Sequence, residues 1–178
     1  MRFQLGVTQR RIANSQTDGT ASREELLTKS IDNLKLACSL CPNEPTYSNN
    51  LGLSYFESEQ FDLALQAYEG AIHLEVEKIK NDGGRSWENL SFYHKNLGLA
   101  LYHQGDMERA LEEYEKAIKY NDMNADNYFN RGNVRLNEEN FDLAHMDFEA
   151  AIEREDRNAK FYHAKGLAYQ AEAEKIAR

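Results

Sequence analysis

Three asparagines, Asn50, Asn96 and Asn130, each stand two residues before a glycine at equivalent places along the chain. A side-chain amide offers a hydrogen-bond donor and an acceptor together. A row of such amides can therefore pair with a polypeptide backbone as a strand edge does, without reading the side chains. The chemistry that these residues predict is the binding of another protein.

The two cysteines, Cys38 and Cys41, form a C-x-x-C pair. A redox role needs a thioredoxin-like βαβ context and a zinc site needs a second pair of ligands, and neither is visible. The pair also stands at the predicted C-terminal end of a helix, away from the helix N-terminus that lowers the pKa of a thiol. We therefore predict structural cysteines, no metal and no cofactor.

The sequence gives little support for catalysis. It contains no His-Glu-x-x-His motif, no glycine-rich phosphate loop and no nucleophile elbow. The histidines are scattered over different predicted helices, and the many carboxylates are typical of a solvated helical surface. We predict that the chain is not an enzyme and has no small-molecule substrate. The histidines are His73, His94, His103, His145 and His163.

The charge balance limits the class of partner. The 178 residues include 21 Lys and Arg but 30 Asp and Glu, which gives a formal net charge of -9. Nucleic acid is not expected, because binding a polyanion needs clustered cations. Membrane insertion is not expected either, because no apolar run approaches the roughly 18 residues of a span.

With only two cysteines, an intracellular, cytoplasmic protein is the default prediction, and a cilium or an organelle is the alternative.

The elements that position the asparagines repeat along the sequence. The pattern around Gly98 recurs 34 residues later around Gly132 and after another 34 around Gly166, and it occurs 46 residues earlier around Gly52. A mid-helix glycine costs about 1 kcal/mol relative to alanine, so its recurrence indicates a packing role. Each of the first three glycines is followed by a small, an aromatic and a small residue. These are Ala64, Tyr68 and Ala71; Ala110, Tyr114 and Ala117; and Ala144, Phe148 and Ala151.

This pattern resembles the tetratricopeptide repeat family over roughly residues 30–169. The resemblance implies an all-α fold, a right-handed superhelical α-solenoid of antiparallel helix pairs. Each repeat would consist of a helix A and a helix B that approach closely at the glycine. The aromatic residue of helix B would fill space against the next repeat. The A helices would line a concave groove.

The repeat divides the chain into predicted units. They are a polar lead-in at 1–21, a half-repeat helix B at 22–42, repeat 1 at 45–80, an insertion at 81–90, repeat 2 at 91–124, repeat 3 at 125–158, and the helix A of a fourth repeat, or a capping helix, at 159–178.

The boundaries of these units rest on local signals. The 46-residue spacing leaves twelve residues beyond the period, and we predict that they lengthen helix B of repeat 1 by about two turns. The tight turns are predicted at 59–60, 105–106 and 138–140. Ser22 is predicted to cap the half-repeat helix together with Glu25, and Ser86 to cap a lengthened helix A in repeat 2. Asp122 and Asp156 replace the family's usual proline, and each is expected to cap the helix that follows.

The resemblance also implies which residues face the groove. The three asparagines in register resemble the asparagine ladder of the O-linked N-acetylglucosamine transferase repeats, in which amides pair with the backbone of an extended peptide. Neighbouring side chains would then provide specificity. The predicted site residues are Asn49, Asn50, Phe92, Lys95, Asn96, Leu99, Tyr102, Phe129, Asn130, Asn133, Asn137, Lys160 and His163.

Two alternatives to this non-enzymatic scaffold remain open. One is an architectural subunit that docks in a large assembly through its convex face or through the 72–90 hairpin. The other is a chaperone-binding protein whose carboxylate clamp holds an acidic peptide tail. Of the five positions of that clamp, Lys95, Asn130 and Lys160 match. Leu99 and Ala164 supply no polar donor to a carboxylate.

Overall fold

The structure is a computed structural model that describes Val7, residues 21–82 and residues 87–177, and all regular secondary structure in these ranges is helical. The predicted lead-in lies outside the described residues except for Val7 and Ala21. The helices are α1 (Ala21–Leu40), α2 (Pro45–Glu57), α3 (Phe61–Asp82), α4 (Trp87–Gln104), α5 (Met107–Tyr120), α6 (Ala125–Asn137), α7 (Phe141–Arg154) and α8 (Ala159–Ile176).

Consecutive helices pack side by side through short connections, as antiparallel pairs do. The closest pairs are α2 with α3, α4 with α5 and α6 with α7, which are helices A and B of repeats 1 to 3. The A helices α2, α4, α6 and α8 also contact one another in succession. They form one layer of the solenoid, and their outward side chains form a continuous surface, which we term the A-helix face.

The recurring glycines allow each helix A to approach its helix B. A Cβ atom built on Gly52 would lie 2.7 Å from the ring of Tyr68, and one on Gly132 would lie 2.8 Å from the ring of Phe148. Both rings are almost completely buried. The predicted close approach is confirmed, and its cause is that the aromatic ring lies directly on the glycine of its own repeat.

The predicted turns between helices A and B are also confirmed. Glu59 and Glu139 have positive φ angles of 59° and 58°, and Gly105 occupies the equivalent place in repeat 2 with φ of 86°. Glycine has no Cβ atom and adopts this left-handed conformation without steric cost, whereas an L-residue adopts it only at a cost in free energy. The tight turn is therefore a property of the repeat, and two of its three copies place a glutamate where glycine fits best.

The twelve additional residues lengthen two helices. Helix α3 has 22 residues, whereas α5 and α7 have 14 each, so the predicted extension of about two turns is confirmed. Helix α4 has 18 residues, against 13 in α2 and α6. The predicted insertion at 81–90 is too long, because 81–82 belong to α3 and 87–90 belong to α4. Ser86 lies outside the described residues.

Three of the predicted helix starts need correction. Asn124 caps α6 and Asn158 caps α8, through side-chain oxygens that accept from the backbone N–H groups two residues later. Asp122 and Asp156 were the predicted caps, but each lies two residues too early because the helices start at Ala125 and Ala159. Helix α1 begins at Ala21, so Ser22 lies inside the helix rather than at its cap.

Candidate functional site

All thirteen predicted site residues lie on the A helices, but they differ in burial and in bonding. Asn49 and Asn96 are buried, with 3% and 5% of their surfaces exposed. The Nδ2 atom of Asn96 donates to the Oδ1 atom of Asn49 over 2.9 Å. This hydrogen bond joins α2 to α4, so these two amides stabilise the contact between repeats instead of standing open to a ligand.

Asn50 is bonded within its own helix. Its Nδ2 atom donates to the backbone oxygen of Thr46 over 2.8 Å, and the residue is half-buried. Two of the three asparagines in the predicted ladder, Asn50 and Asn96, therefore have internal partners for their amide nitrogens.

A row of open amides runs instead along α6. Asn130, Asn133 and Asn137 are spaced by three and four residues, which places them on one side of the helix. No described residue makes a hydrogen bond to any of these three side chains. The row lies along one helix, whereas the predicted ladder crosses three repeats.

A cavity of about 540 Å³ adjoins this row. Tyr102 lines it from α4, Asn133 and Asn137 from α6, and Phe141 from the start of α7. Its volume is within the range of pockets that hold small ligands or large side chains. The remaining lining residues are Leu136, Glu139, Ala171, Glu174 and Lys175.

The last turns of α8 contribute to this cavity. Lys175 forms an ion pair of 2.6 Å with Glu139, and its Nζ atom lies 5.6 Å from the centre of the Phe141 ring. Sequence reasoning missed Phe141 and Lys175, because they lie beyond the groove positions expected of a helix A. The one signal was the continuation of the apolar pattern in α8 through Ala171.

Cations and aromatic rings alternate at the opposite end of the same layer. The Nζ atom of Lys95 lies 4.7 Å from the centre of the Phe92 ring, and that of Lys160 lies 4.8 Å from the Phe129 ring. Such placements are weakly attractive, by about 0.5–1 kcal/mol when exposed. Lys160 also forms an ion pair of 2.5 Å with Asp126.

Lys95 is less compensated by negative charge than Lys160. Burial lowers the pKa of Lys95, a lowering that Asp126 opposes and Lys160 reinforces. Among the described residues, none forms an ion pair with Lys95. A negatively charged group from a ligand would therefore gain more from Lys95 than from Lys160, which Asp126 already neutralises.

The remaining residues of the predicted site and of the predicted clamp differ in burial. Leu99 is half-buried and His163 is exposed. Asn130 lies one helical turn after Asp126, so the three matching clamp positions lie in one neighbourhood with a carboxylate among them. Ala164, the last clamp position, is 7% exposed and packs in the core.

A second cavity, of about 400 Å³, lies between α3 and α5, and His94 and Leu97 of α4 also line it. Glu113 accepts from Lys116 over 2.6 Å, and its other carboxylate oxygen lies 2.6 Å from Nδ1 of His94. Burial raises the pKa of Glu113, but the hydrogen bonds with His94 and Lys116 outweigh it, so the pKa is lowered overall.

An aromatic stack stands beside the second cavity. The ring of His94 stacks on Tyr120 at 5.4 Å, and Tyr120 stacks on Trp87 at 5.7 Å. Trp87 is 45% exposed. The stack joins Trp87, the first residue of α4, to Tyr120, the last residue of α5.

The described residues hold no group of three or more His, Cys, Asp or Glu side chains arranged for a metal ion. Cys38 and Cys41 are free thiols, and burial raises the pKa of Cys38. No helix in the described ranges is both long enough and apolar enough to span a bilayer.

Two segments of the chain match family models. Residues 98–138 match a model described as TPR repeat, and residues 45–75 match one described as tetratricopeptide repeat. No curated protein sequence matches the chain.

Solved structures share the fold at low sequence identity. The crystal structure of MamA protein is 19% identical, with a TM-score of 0.72 over 97% of this chain and 81% of that one. The first TPR of Spaghetti (RPAP3) bound to HSP90 peptide SRMEEVD is 18% identical, with a TM-score of 0.63 over 73% and 94%. The Arabidopsis OM64 TPR domain is 21% identical, with a TM-score of 0.60 over 71% and 94%. Residues 45–75 and 98–138 of the chain are therefore tetratricopeptide repeats, and the predicted all-α superhelical solenoid is confirmed.

Proposed function

We propose that this protein is a non-catalytic scaffold that binds an extended segment of a partner protein on the A-helix face. One observation carries the proposal. The amides of Asn130, Asn133 and Asn137 run along α6 with no partner among the described residues, and two of them line the 540 Å³ cavity. This arrangement supplies a row of backbone-pairing groups next to a receptor for one large side chain.

The amide row and the cavity have separate roles in this proposal. The amides donate to and accept from the backbone of the bound segment, which gives affinity with little sequence preference. The cavity takes an apolar or aromatic anchor against Tyr102, Leu136 and Phe141, because buried anchors supply most of the energy of such interfaces.

A single acidic group on the bound segment would complete the contact. Lys95 is partly desolvated and forms no ion pair within residues 21–82 and 87–177, so a carboxylate brought to it would restore the interaction with solvent that burial removes. The chain as a whole carries a net charge of -9, so strongly acidic segments are disfavoured at longer range. The preferred ligand has one acidic residue near an apolar or aromatic one.

Selection from a phage-displayed library of random peptides tests this proposal. Peptides selected on the wild-type chain should lose at least about tenfold in affinity for the Asn130→Ala/Asn133→Ala/Asn137→Ala variant, measured by fluorescence anisotropy. The Asn43→Ala/Asn81→Ala variant is the matched control, because both residues are exposed and lie outside the site. Selected peptides that bind the triple variant with unchanged affinity would refute binding on α6.

The acidic-tail clamp is a second candidate, favoured by the proximity of Lys95, Asn130 and Lys160. One structural relative is bound to the peptide SRMEEVD. For the present chain we expect weak binding of that peptide, because Leu99 and Ala164 offer no side-chain donor. The Leu99→Asn variant, which restores one donor at a half-buried position, should bind it more tightly than the wild type. Equal binding by both proteins, or none by either, would exclude a latent clamp.

The architectural alternative is favoured by the half-exposed Trp87 at the start of α4, within the predicted 72–90 segment. If a partner docks there, Trp87→Ala should abolish its capture in an affinity purification, and the triple asparagine variant should capture it normally. The reverse result would support the A-helix face.

A further inference from the structure

The second cavity opens between the B helices of repeats 1 and 2. Within the described ranges, no Cα atom of α3 lies within 8 Å of one of α5, so a gap remains between the two helices. The apolar part of the lining consists of Ile72 and Val76 of α3 and Leu97 of α4. The cavity therefore combines an apolar lining with charged side chains. The other lining residues are Glu69, His73, His94, Arg109, Glu113 and Lys116.

Repeat 3 has an ion pair at the positions that correspond to part of this lining. Repeats 2 and 3 are offset by 34 residues, so Leu97 corresponds to Arg131 and Glu113 to Asp147. The Nε and Nη2 atoms of Arg131 donate to the two carboxylate oxygens of Asp147 over 3.0 and 2.7 Å. Asp147 is only 2% exposed. In repeat 3, an arginine of helix A thus neutralises a buried carboxylate of helix B.

Repeat 2 keeps the carboxylate but has no arginine on its helix A. Asp147 also accepts from Arg135 over 2.7 Å, and Arg135 corresponds to Leu101. Both arginine positions of α6 are therefore leucines in α4. Glu113 is nevertheless 8% exposed, close to the burial of Asp147. Because Leu97 lines the second cavity, the position that carries a guanidinium group in repeat 3 adjoins open space in repeat 2.

An aromatic ring accompanies the carboxylate in both repeats. Tyr128 of α6 corresponds to His94 of α4. The Cζ atoms of Arg131 and Arg154 lie 5.8 and 3.9 Å from the centre of the Tyr128 ring. Tyr120 corresponds to Arg154, and it stacks on His94 at 5.4 Å. Repeat 2 therefore has the ring, a stacking neighbour and the carboxylate, without a counterpart of the Arg131 guanidinium group.

We infer that the second cavity binds an arginine side chain of a partner protein, in the position that Arg131 has in repeat 3. The aliphatic part of the bound arginine packs on the apolar lining, and its guanidinium group pairs with Glu113 and Glu69. Arginine fits both parts of the lining, because an apolar stem leads to a planar group that binds carboxylates through two parallel hydrogen bonds.

The cations that already contact these carboxylates are replaceable. The Nη1 and Nη2 atoms of Arg109 serve Asp106 and Glu69 at 3.5 and 3.4 Å, and the Arg109 side chain is 51% exposed. Lys116 is 47% exposed where it reaches Glu113. Exposed ion pairs of this kind contribute little to stability, so both cations can return to solvent. A carboxylate has about four lone-pair sites, and Glu113 therefore keeps its contact with His94 while it accepts from the bound arginine.

The charges of the two B helices favour a basic partner segment. Helix α3 carries five Asp and Glu against two Lys, and α5 carries four Glu against three Lys and Arg. A basic segment is therefore attracted to these helices at longer range, and one of its arginines enters the cavity. This site does not rest on the function proposed above, because it lies between B helices and uses none of the predicted residues of the A-helix face.

An NMR titration of the isotope-labelled 178-residue chain with the peptide acetyl-Gly-Arg-Gly-amide tests the inference. We expect shifts of the backbone amides of Ile72, Leu97 and Glu113, with a dissociation constant on the order of 1–10 mM for so small a ligand. The same peptide with citrulline for arginine keeps the shape without the charge, and it should bind at least about fivefold more weakly. Equal binding of both peptides, tighter binding of a leucine peptide, or shifts confined to other residues would refute the inference.

Two substitutions on α5 distinguish the cavity from the general charge of the helix. Glu113→Gln removes the carboxylate that pairs with the guanidinium group and should weaken binding of the arginine peptide at least about fivefold. Glu112→Gln is the matched control, because Glu112 is exposed on the same helix and does not line the cavity. Equal weakening by both substitutions would show a non-specific attraction to acidic helices and contradict the inference.

A variant with its own guanidinium group tests the correspondence with repeat 3. Leu97→Arg gives α4 the residue that α6 has at the same position, and the filled cavity should no longer bind the arginine peptide. If circular dichroism shows that this variant does not fold, Val76→Arg replaces it, because Val76 is only half-buried and also lines the cavity. Unchanged binding by a folded variant of this kind would contradict the inference. The triple asparagine variant should bind the arginine peptide like the wild type, so the two sites succeed or fail separately.

Discussion

The amide nitrogen of Asn96 donates to the side-chain oxygen of Asn49 over 2.9 Å, and this bond joins the A helices of two repeats in a buried setting. The pair lies within the face that the asparagine pattern assigns to ligand binding. It occupies one donor of Asn96 and one acceptor of Asn49 that a ladder of amides would offer to a peptide.

Removal of one partner from this pair should destabilise the fold. Asn96→Ala leaves the oxygen of Asn49 buried without a hydrogen bond, which costs about 1–3 kcal/mol. The double variant Asn49→Leu/Asn96→Leu should recover part of this loss, because apolar groups of similar size leave no polar atom unsatisfied. The free energy of unfolding in urea is the measurement. Single and double variants of equal stability would show that the amides do not interact.

The two glycines of repeat 1 should respond to alanine in opposite directions. Gly52→Ala places a methyl group 2.7 Å from the buried ring of Tyr68 and should destabilise the fold by about 1–3 kcal/mol. Gly70 has open space around it in α3, so Gly70→Ala should stabilise by about 0.5–1 kcal/mol through helix propensity. Thermal unfolding followed by circular dichroism distinguishes the two outcomes. A lower thermal stability of both variants would refute the assignment of open space at Gly70.

Glycine at position 59, in the first tight turn, should raise the free energy of unfolding. Glu59 is exposed and has a φ angle of 59°, a conformation that costs an L-residue about 1–2 kcal/mol. Glu59→Gly should therefore stabilise the chain by roughly 0.5–1 kcal/mol in urea unfolding. Gln66→Gly, at an exposed position inside α3, is the control and should destabilise by about 1 kcal/mol. Destabilisation by both substitutions would mean that the φ angle of Glu59 carries no strain.

The repeat could be predicted from the sequence because it depends on residue types at fixed, short spacings along the chain. The glycine and the aromatic residue sixteen positions later, such as Gly52 and Tyr68, must touch for helices A and B to pack. The turns follow from the spacing between helices, and so Glu59 could be assigned to a turn although it is not glycine. Helix caps were less predictable, since Asn124 and Asp122 are both good capping residues and only the helix start decides between them.

The site was less predictable because the repeat pattern specifies a face without specifying what covers it. Asn96 and Asn130 occupy equivalent positions, yet Asn96 is buried because Asn49 happens to provide a partner on the adjacent helix. The cavity depends on Phe141 and Lys175, which come from two further helices. Their convergence is a tertiary relationship with no signature in the period.

Acid should weaken the contact between α4 and α5. Because the hydrogen bonds with His94 and Lys116 outweigh burial, the pKa of Glu113 lies below its ordinary value of 4.5. A carboxyl with a lowered pKa in the folded state contributes stability above its unfolded pKa, and that contribution is lost as the pH falls below about 4.5.

The Glu113→Gln variant isolates this contribution. The difference in urea midpoint between wild type and variant should be largest near pH 7 and shrink as the pH falls from about 4.5 towards about 3. Glu112→Gln is the control, because Glu112 is exposed on the same helix and should show no comparable change. A difference that is constant with pH would contradict the role assigned to the Glu113 carboxylate.

Lys95 should lower the free energy of unfolding of the chain, although it strengthens the binding of acidic peptides. Burial lowers its pKa, so the folded chain pays a desolvation penalty whenever Lys95 is protonated. Lys95→Met keeps an unbranched side chain beside the Phe92 ring and removes the charge. We expect the variant to be more stable by roughly 0.5–1 kcal/mol at pH 7 and to bind the library-selected acidic peptides at least about tenfold more weakly.

The pH dependence identifies the cause of that stabilisation. Below the folded pKa of Lys95 the penalty is complete, and it disappears as the pH rises through the lowered pKa towards the ordinary value of 10.5. The advantage of Lys95→Met in urea unfolding should therefore shrink between neutral pH and about pH 10. Lys119→Met, at an exposed position on α5, should show no such trend. A Lys95→Met variant that is less stable than the wild type at pH 7 would show that the ammonium group is already compensated within the fold.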